Sequence, residues 1–215
     1  MTDTPPIDTV VLDFGNVLVG WDPYAAYDGY LDPAEVDALF DEIGFHDLNR
    51  RQDGGRPWAE ALAALGTTHP HRVDDLRWYV ENYHASLTGP VEGTEELVHE
   101  LKGLGLRLYG LTNWSAESFH LAEPAAPAIG LMDDVVVSGR VGLTKPDPRI
   151  FEIVVERFGV DPSRAVFVDD SPANVTAARA VGFHGLLFTG TPALRRDLRA
   201  LGVPVAGPPG DPSDT

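Results

Sequence analysis

The sequence predicts an α/β protein with a doubly wound parallel sheet and an inserted block of helices. A short apolar run at residues 9–12 is typical of a buried strand. Helical patterns without a convincing strand then extend from about Trp21 to Leu87. From Pro90 onward, short strand patterns alternate with helical ones, as in parallel sheets with right-handed crossovers. A chain of 215 residues has room for one such domain and its insertion.

The first predicted strand ends in a carboxylate. Val10, Val11 and Leu12 suit a strand buried on both faces of a sheet, and Asp13 follows them directly. Open α/β sheets place their ligand crevices at the carboxyl ends of strands. Gly15 permits a backbone conformation closed to other residues, or close approach of a ligand to the main chain. The alternative for Asp13 is a loop aspartate that caps the next turn.

The inserted block, residues 21–87, is predicted to be helical throughout. Asp22–Pro23 and Asp32–Pro33 each have the pattern of an N-cap followed by proline at the first helical position. Apolar residues at helical spacing predict helices over 34–40, 58–65 and 73–84. The chain is thereby divided into an α/β core of residues 1–20 and 88–202 and a helical domain of residues 21–87.

The second half of the chain supplies the remaining strands, which are predicted at 106–111, 135–137, 165–168 and 185–188. Helices are predicted at 94–101 with Thr94 as the N-cap, at 116–121, 148–158 and 173–181, and from 191 onward. From Val203 the chain is rich in Pro, Gly, Asp and Ser, which predicts a disordered tail over 203–215.

Composition and charge exclude several classes of function. The chain has no cysteine, and therefore neither disulfides nor thiolate chemistry. No apolar run approaches the roughly 18 residues of a membrane span, and residues 1–8 are unlike a secretory signal, so we expect a cytoplasmic protein that does not bind membranes. A formal charge of -17 makes nucleic acid a poor partner. A small phosphorylated substrate would require a locally positive site.

Polar side chains follow four of the predicted strands. Asp13, Thr112–Asn113, Lys145 and Asp169–Asp170 come at or shortly after strand ends, and these ends meet at one edge of a parallel sheet. Three carboxylates at one edge repel one another unless a positive charge lies between them. A hard cation with oxygen ligands, such as Mg²⁺, would supply that charge. Lys145 and the N-terminus of the helix after Ser171 add further positive potential.

In order, spacing and strand context, these residues resemble the four motifs of the haloacid dehalogenase superfamily, and the resemblance covers nearly the whole chain. Asp13 matches the nucleophile of the first motif, Thr112 the hydroxyl residue of the second and Lys145 the lysine of the third. Asp169–Asp170 match the acidic pair of the fourth. The helical block lies where one branch of the superfamily inserts a helical cap.

The resemblance implies a phosphatase that forms an aspartyl-phosphate on Asp13, which water then hydrolyses. It implies that Mg²⁺ is held by Asp13, the backbone carbonyl of Gly15 and Asp170. Asp169 would lie behind them or hold a metal-bound water. It further implies that Thr112, the neighbouring Asn113 amide and Lys145 hold the phosphoryl oxygens, with Gly15 and Asn16 in the same binding loop. The substrate class is a small phosphorylated metabolite such as a sugar phosphate.

The sequence departs from the common phosphatase pattern at Gly15. Most members of the superfamily that are phosphatases have an aspartate there, which protonates the leaving oxygen; Gly-Asn after the nucleophile is typical of a minority branch. Loss of general acid catalysis costs about 10²–10⁴-fold in rate. The enzyme would then need an acidic leaving group, or a proton from the inserted helices or from water. Within those helices, Asn49, Arg50, Arg51 and Asp53 form either a group that contacts the leaving group or a solvated polar loop.

Two other functions are compatible with parts of the pattern. A 2-haloacid dehalogenase also lacks the second aspartate and attacks carbon with the same nucleophile, but such enzymes need no metal and lack the acidic pair at 169–170. A fold that keeps its pocket as a non-catalytic binding protein is the second alternative, against which stand the nucleophile, the lysine and both acids. The substrate and the oligomeric state do not follow from the sequence.

Overall fold

The computed structural model describes residues 6–207. Its strands in this range are β1 (Thr9–Leu12), β2 (Val19–Trp21), β3 (Leu87–Pro90), β4 (Arg107–Thr112), β5 (Asp134–Val137), β6 (Ala165–Asp169) and β7 (His184–Leu187). The α-helices in the same range are α1 (Pro33–Ile43), α2 (Phe45–Asp53), α3 (Trp58–Thr68), α4 (Val73–Glu81), α5 (Thr94–Gly103), α6 (Ala122–Ala125), α7 (Ser138–Val141), α8 (Pro148–Phe158), α9 (Pro172–Val181) and α10 (Thr191–Ala200). Short 3₁₀ helices cover Pro23–Tyr27, Pro70–Arg72, Tyr83–Ser86, Phe119–Leu121, Pro127–Leu131 and Pro162–Arg164.

The five predicted core strands form one parallel sheet. Its order is β5-β4-β1-β6-β7, with every neighbouring pair parallel. β1 is central and wholly buried because apolar clusters cover both faces: Val10 and Leu12 belong to one cluster, Val11 to the other. The prediction of a doubly wound α/β fold is therefore confirmed. The carboxyl ends of β1, β4 and β6 lie side by side at one edge of the sheet.

The inserted residues have an apolar cluster of their own. Its members are Ala26, Tyr27, Val36, Leu39, Phe40, Phe45, Leu48, Trp58, Ala61, Leu65, Leu76 and Tyr79. α1 begins at the predicted Asp32–Pro33 pair with a complete capping box, in which Asp32 accepts from the Glu35 N–H and Glu35 from the Asp32 N–H. The Asp22–Pro23 pair opens a 3₁₀ helix instead of an α-helix.

Two short strands at the ends of the insertion were not predicted. β2 pairs with β3 in antiparallel fashion, so the chain leaving the core and the chain returning to it are hydrogen bonded to each other. The sequence of β3, Leu-Thr-Gly-Pro, contains two residues that disfavour strands, which is why the pattern did not indicate one.

Several local predictions need correction. Thr94 is not an N-cap: Gly93 occupies that position, and the Thr94 hydroxyl donates to the Val91 carbonyl at 2.7 Å. The helix expected over 73–84 ends at Glu81, and the one expected over 116–121 is replaced by the 3₁₀ helix Phe119–Leu121 and by α6, whose sequence contains a helix-disfavouring proline.

The end of the described chain also differs from the expectation of a disordered tail from residue 203. Val203 and Val205 are buried in the core cluster under β1, because each provides an apolar side chain between the prolines and glycines. The rest of that tail, residues 208–215, lies outside the described residues. Within residues 6–207, no helix is both long enough and apolar enough to cross a bilayer.

Candidate active site

Asp13 lies where β1 ends and the chain turns away from the sheet. Its N–H still pairs with the Val168 carbonyl of β6 at 2.9 Å, so the carboxylate is held at the sheet edge. One carboxylate oxygen, Oδ1, accepts from the Phe14 N–H at 2.7 Å, and the residue is 7% exposed. Asn16 follows with a φ of 56°, in the left-handed region that asparagine tolerates best among residues other than glycine. Its side-chain oxygen accepts from the Trp21 N–H at 3.0 Å and closes the loop.

The Lys145 ammonium joins two of the carboxylates. The side chain is fully buried, and Nζ lies 2.8 Å from Asp13 Oδ1 and 2.7 Å from Asp169 Oδ2. Nζ also donates to the Leu111 carbonyl of β4 at 2.9 Å, so all three donors of the ammonium point at oxygen atoms. The ammonium is thus fixed beneath the carboxyl ends of β1, β4 and β6.

Asn113 fixes the backbone of Lys145. Its side-chain oxygen accepts from the Lys145 N–H at 2.8 Å, and its side-chain nitrogen donates to the Lys145 carbonyl at 3.0 Å. Both polar atoms of the Asn113 side chain are therefore bonded to Lys145. Only the backbone N–H of Asn113 could donate to a bound oxyanion. Thr112, the last residue of β4, is buried at the same edge.

The two neighbouring aspartates at the end of β6 have different surroundings. Asp169 is fully buried and accepts from Lys145, from the Ser171 N–H at 2.8 Å and from the Asn174 side chain at 3.0 and 3.1 Å. Asp170 is exposed, and the Asn16 side chain is near enough to lower the pKa of its carboxyl. Asn174, in the first turn of α9, was not singled out in the sequence, since an asparagine inside a helical pattern carries no motif.

Burial and mutual repulsion set the protonation of this group. Burial raises the pKa of Asp13 to about 7, although the Lys145 ammonium opposes the shift. Burial, followed by the charge of Asp169, raises the pKa of Asp170. For Lys145, burial lowers the pKa, but the charges of Asp13 and Asp169 outweigh it and the net pKa is raised. The carboxylates are thus short of positive charge even with the lysine in place.

The same three carboxylates fit a divalent cation. One oxygen from each of Asp13, Asp169 and Asp170 lies within 4.8 Å of the others. The donor atoms are all oxygens, as hard cations such as Mg²⁺ prefer. With the lysine, the group has a net charge of about -2 when all carboxylates are ionised, which a divalent ion would neutralise. The chemistry of the donor set therefore suits Mg²⁺.

The inserted helices meet the sheet edge beside this group. The Ser138 hydroxyl, at the start of α7, donates to the Asp53 carbonyl at the end of α2 at 2.6 Å and accepts from the Trp114 N–H at 2.9 Å. The Trp58 N–H of α3 donates to the Glu117 carboxylate at 3.0 Å. These bonds tie the loop after α2 to the segment that follows Thr112.

The polar side chains at 49–53 lie in helix α2, not in a loop as one interpretation of the sequence had it, and their surroundings differ. The Asp53 carboxyl accepts from the Asn49 side chain at 3.2 Å, and the Ser115 N–H of the core is near enough to lower the pKa of that carboxyl. Arg50 instead forms an exposed ion pair with Asp47 at 3.0 Å, of the kind that contributes little to stability. Of the four polar residues noted in this stretch of the sequence, Asp53 is the one linked to the segment after β4, through the Ser138 hydroxyl that bonds both its backbone carbonyl and the Trp114 N–H.

A parallel α/β sheet with an acid–lysine–acid group at its carboxyl edge defines a class of hydrolases. The family of haloacid dehalogenase-like hydrolases matches this chain over residues 7–182. The protein belongs to that family, as the resemblance of its four motifs implied.

Individual relatives agree with this assignment. The sesquiterpene phosphatase astK of Aspergillus oryzae is 37% identical over 105 residues, which are 49% of this chain and 54% of that protein. The validoxylamine A 7'-phosphate phosphatase of Streptomyces hygroscopicus subsp. limoneus is 29% identical over 154 residues, 69% of this chain and 72% of that one. The drimenol cyclase drtB of Aspergillus calidoustus is matched over only 36% of its length, so the chain spans about a third to a half of these two fungal proteins.

Solved structures share the fold. A HAD family enzyme of Bacteroides thetaiotaomicron, in its magnesium complex, superposes with a TM-score of 0.71 at 19% identity, over 91% of this chain and 100% of that one. The L-2-haloacid dehalogenase of Xanthobacter autotrophicus superposes with a TM-score of 0.62 at 21% identity, over 90% of this chain and 83% of that one. At these identities the likeness concerns the architecture alone.

Proposed function

We propose that this hydrolase is a Mg²⁺-dependent phosphatase that acts on a small phosphomonoester, such as a sugar phosphate, through an aspartyl-phosphate on Asp13. The observation that carries the proposal is the position of the Lys145 ammonium between Asp13 and Asp169. A carboxylate oxygen of Asp170 lies within 4.8 Å of an oxygen of each of these two aspartates. Two of the relatives described above are phosphatases by name, which supports the same class of reaction.

Each residue of the site has a role in this proposal. Asp13 attacks phosphorus, and the bond from phosphorus to the leaving oxygen breaks; water then hydrolyses the aspartyl-phosphate. The Thr112 hydroxyl and the Asn113 backbone N–H bind the phosphoryl oxygens, and the Lys145 ammonium, whose three donors meet Asp13, Asp169 and the Leu111 carbonyl, attracts them by its charge. When bound, Mg²⁺ supplies charge neutralisation for the transferring phosphoryl group.

The cation is held, in this proposal, by Asp13, the Gly15 carbonyl and Asp170. Asp169 takes a supporting position, because both of its oxygens already accept from Lys145 and Asn174. Asn16 shapes the loop that carries Gly15. The inserted helices act as a cap over the sheet edge, which is supported by the bonds from Ser138 to Asp53 and from Trp58 to Glu117.

A phosphatase screen with and without Mg²⁺ tests the proposal. The substrates are sugar phosphates, nucleotides and small phospho-acids, and Asp13→Asn serves as the blank because it keeps the shape of the side chain and removes the nucleophile. We expect phosphate release that requires Mg²⁺ and disappears in Asp13→Asn. Halide release from 2-haloacids in the presence of a chelator would identify a dehalogenase instead. Equal signals from the wild type and the variant would contradict any catalytic role of Asp13.

A further inference from the structure

The proposed phosphatase lacks a proton donor on the loop after the nucleophile. Gly15 has no side chain, and the carboxylates of Asp13, Asp169 and Asp170 are committed to the nucleophile, the lysine and the cation. One further carboxyl group reaches this edge of the sheet from the inserted helices. The inference below rests on the proposed function and completes its chemistry.

We propose that Asp53 is the general acid of this site, protonating the leaving oxygen in place of the residue missing at position 15. Asp53 is the last residue of α2, where the inserted helices meet the core. Its backbone carbonyl is held by the Ser138 hydroxyl at 2.6 Å. The position of the residue is therefore fixed by the core as well as by its own helix.

The carboxyl group is oriented from two sides. The Asn49 side chain donates to Oδ2 at 3.2 Å, and the Ser115 N–H of the core approaches from the other side, near enough to lower the pKa of the carboxyl. Ser115 lies in the segment that begins with Thr112 and Asn113, which are proposed to bind the phosphoryl oxygens. The Asp53 carboxyl, which is next to this segment, would thus lie beside the bound phosphoryl group without itself binding the phosphoryl oxygens.

The relation of Asp53 to Lys145 leaves room for a substrate. The ammonium is near enough to lower the pKa of the Asp53 carboxyl, yet among residues 6–207 the two form no ion pair of 4.0 Å or less. Asp53 is partly exposed, whereas Lys145 is buried. In this proposal the Asp53 carboxyl faces the leaving group from the side of the inserted helices.

The surroundings of Asp53 also keep a proton available near neutral pH. Burial raises its pKa to about 7, against the Ser115 N–H, the Lys145 ammonium and the Arg50 guanidinium, all of which lower it. The phenols of Tyr79 and Tyr83 face the same carboxyl from the inserted helices, and its charge contributes to the raised pKa of both. A general acid is most effective with a pKa near the working pH.

The proton balance closes over one turnover. In the first step Asp13 forms a bond to phosphorus, the bond to the leaving oxygen breaks, and the Asp53 carboxyl gives that oxygen its proton. In the second step water attacks the aspartyl-phosphate, the Asp53 carboxylate accepts a proton from the water, and Asp13 is released with inorganic phosphate. Asp53 ends the cycle protonated, as it began.

The test compares kcat/KM for an aryl and an alkyl ester in saturating Mg²⁺, p-nitrophenyl phosphate and glycerol 2-phosphate, because only the alkyl leaving group needs a proton. For Asp53→Asn we expect a loss of about 10²–10⁴-fold on the alkyl ester and less than about tenfold on the aryl ester. The fall of the alkyl kcat/KM above pH 7 in the wild type should be absent in the variant. Asp47→Asn, an exposed acid on the same helix, is the matched control and should behave as the wild type.

The aryl ester reports separately on folding and on the proposed function. Retained aryl turnover in Asp53→Asn shows that the variant is folded and that its nucleophile works. An equal loss on both esters, or an undiminished alkyl rate, would overturn the general acid role while leaving the phosphatase intact. If the wild type hydrolyses neither ester and matches Asp13→Asn, the proposed function fails and this inference fails with it.

Discussion

The chain has two lysines, Lys102 and Lys145, in opposite surroundings. Lys102 lies at the surface, 37% exposed, 2.5 Å from the half-exposed Asp133. Lys145 is fully buried between two carboxylates that are themselves almost inaccessible. A buried pair is costly to break because the remaining charge has neither water nor a partner, whereas an exposed pair is replaced by hydration.

This contrast predicts the effect of removing each lysine. Lys145→Met leaves Asp13 and Asp169 buried together without their cation, so we expect the free energy of unfolding to fall by about 3–5 kcal/mol. Lys102→Met should cost at most about 1 kcal/mol. Urea unfolding at neutral pH without divalent ions measures both. Similar losses in the two variants would mean that the buried carboxylates take up protons at no appreciable cost.

Asp53 offers a second prediction, on stability rather than rate. The folded protein raises the pKa of this carboxyl from the model-compound value of 3.8 to about 7, so folding becomes less favourable as the pH rises between these values. Asp53→Asn removes that penalty, and we expect the variant to be more stable than the wild type at pH 8, by up to about 4 kcal/mol. The difference should vanish below about pH 4. Thermal melts across this range measure it; a variant less stable at pH 8 would contradict the burial of a charge at this position.

A site residue could be predicted from the sequence where it directly follows a predicted strand. Asp13, Thr112 and Asp169 follow from the rule that parallel strands share one carboxyl edge, and the structure brings Lys145 to the same place. The roles of Asn174 and Ser138 could not be predicted in this way. Asn174 bonds to Asp169 and Ser138 to the Asp53 carbonyl only because the fold brings them together, and no pattern in the neighbouring sequence marks either residue.

At the scale of elements, α7 packs unusually closely on the segment after β4. A Cβ atom on Gly139 would lie 2.5 Å from the Ala116 nitrogen and 2.7 Å from the Trp114 oxygen, both backbone atoms. On the other side, a Cβ atom on Gly55 would lie 3.0 Å from the Gly139 oxygen. Two glycines therefore allow the inserted helices, α7 and the Thr112 segment to meet at a single place.

Gly139→Ala should force these backbones apart. We expect a loss of about 1–3 kcal/mol, as for other overpacked sites, which corresponds to several degrees in Tm for a chain of this size. Gly103→Ala at the end of α5 is the matched control, since among residues 6–207 no atom beyond its chain neighbours and its own helix backbone lies within 4 Å of its Cβ position, and it should be neutral or slightly stabilising. Differential scanning calorimetry measures both; equal Tm values would show that the contact yields without cost.

The buried strands and helices could be predicted from the sequence more readily than the short elements at the periphery. The five core strands carry long-range apolar patterns because both faces of the sheet are covered, and all five were expected near their observed places. β2, β3 and the 3₁₀ segments were not expected. Each is only three to five residues long, and their stability comes from neighbouring elements rather than from their own residues.

For the whole molecule, the dominant property is a formal charge of -17 around a site proposed to bind a phosphate dianion. The cationic groups near the site act over a few ångströms, whereas the net charge acts at a distance and repels an approaching anion. Screening by salt weakens the long-range repulsion more than the buried contacts.

We therefore expect kcat/KM for p-nitrophenyl phosphate, in saturating Mg²⁺, to rise by roughly a few-fold as NaCl is increased from about 0.01 M to 0.15 M, over which the Debye length falls from about 30 to 8 Å. The kcat at saturating p-nitrophenyl phosphate, which does not depend on the approach of the anion, serves to correct for general effects of salt. A steady fall of kcat/KM with NaCl would contradict this expectation, because it would show that the approaching anion is attracted by the site more strongly than it is repelled by the net charge.

The pairing of β2 with β3 has a mechanical consequence. Because the outgoing and the returning chain are hydrogen bonded to each other, any displacement of the inserted helices relative to the sheet would have to move both crossings together. Asp13 and Lys145 would stay with the sheet, while Asp53 would travel with the helices. Under the proposed roles of Asp13 and Asp53, such a displacement would carry the proton donor away from the nucleophile, and the displaced form would hydrolyse an aspartyl-phosphate slowly.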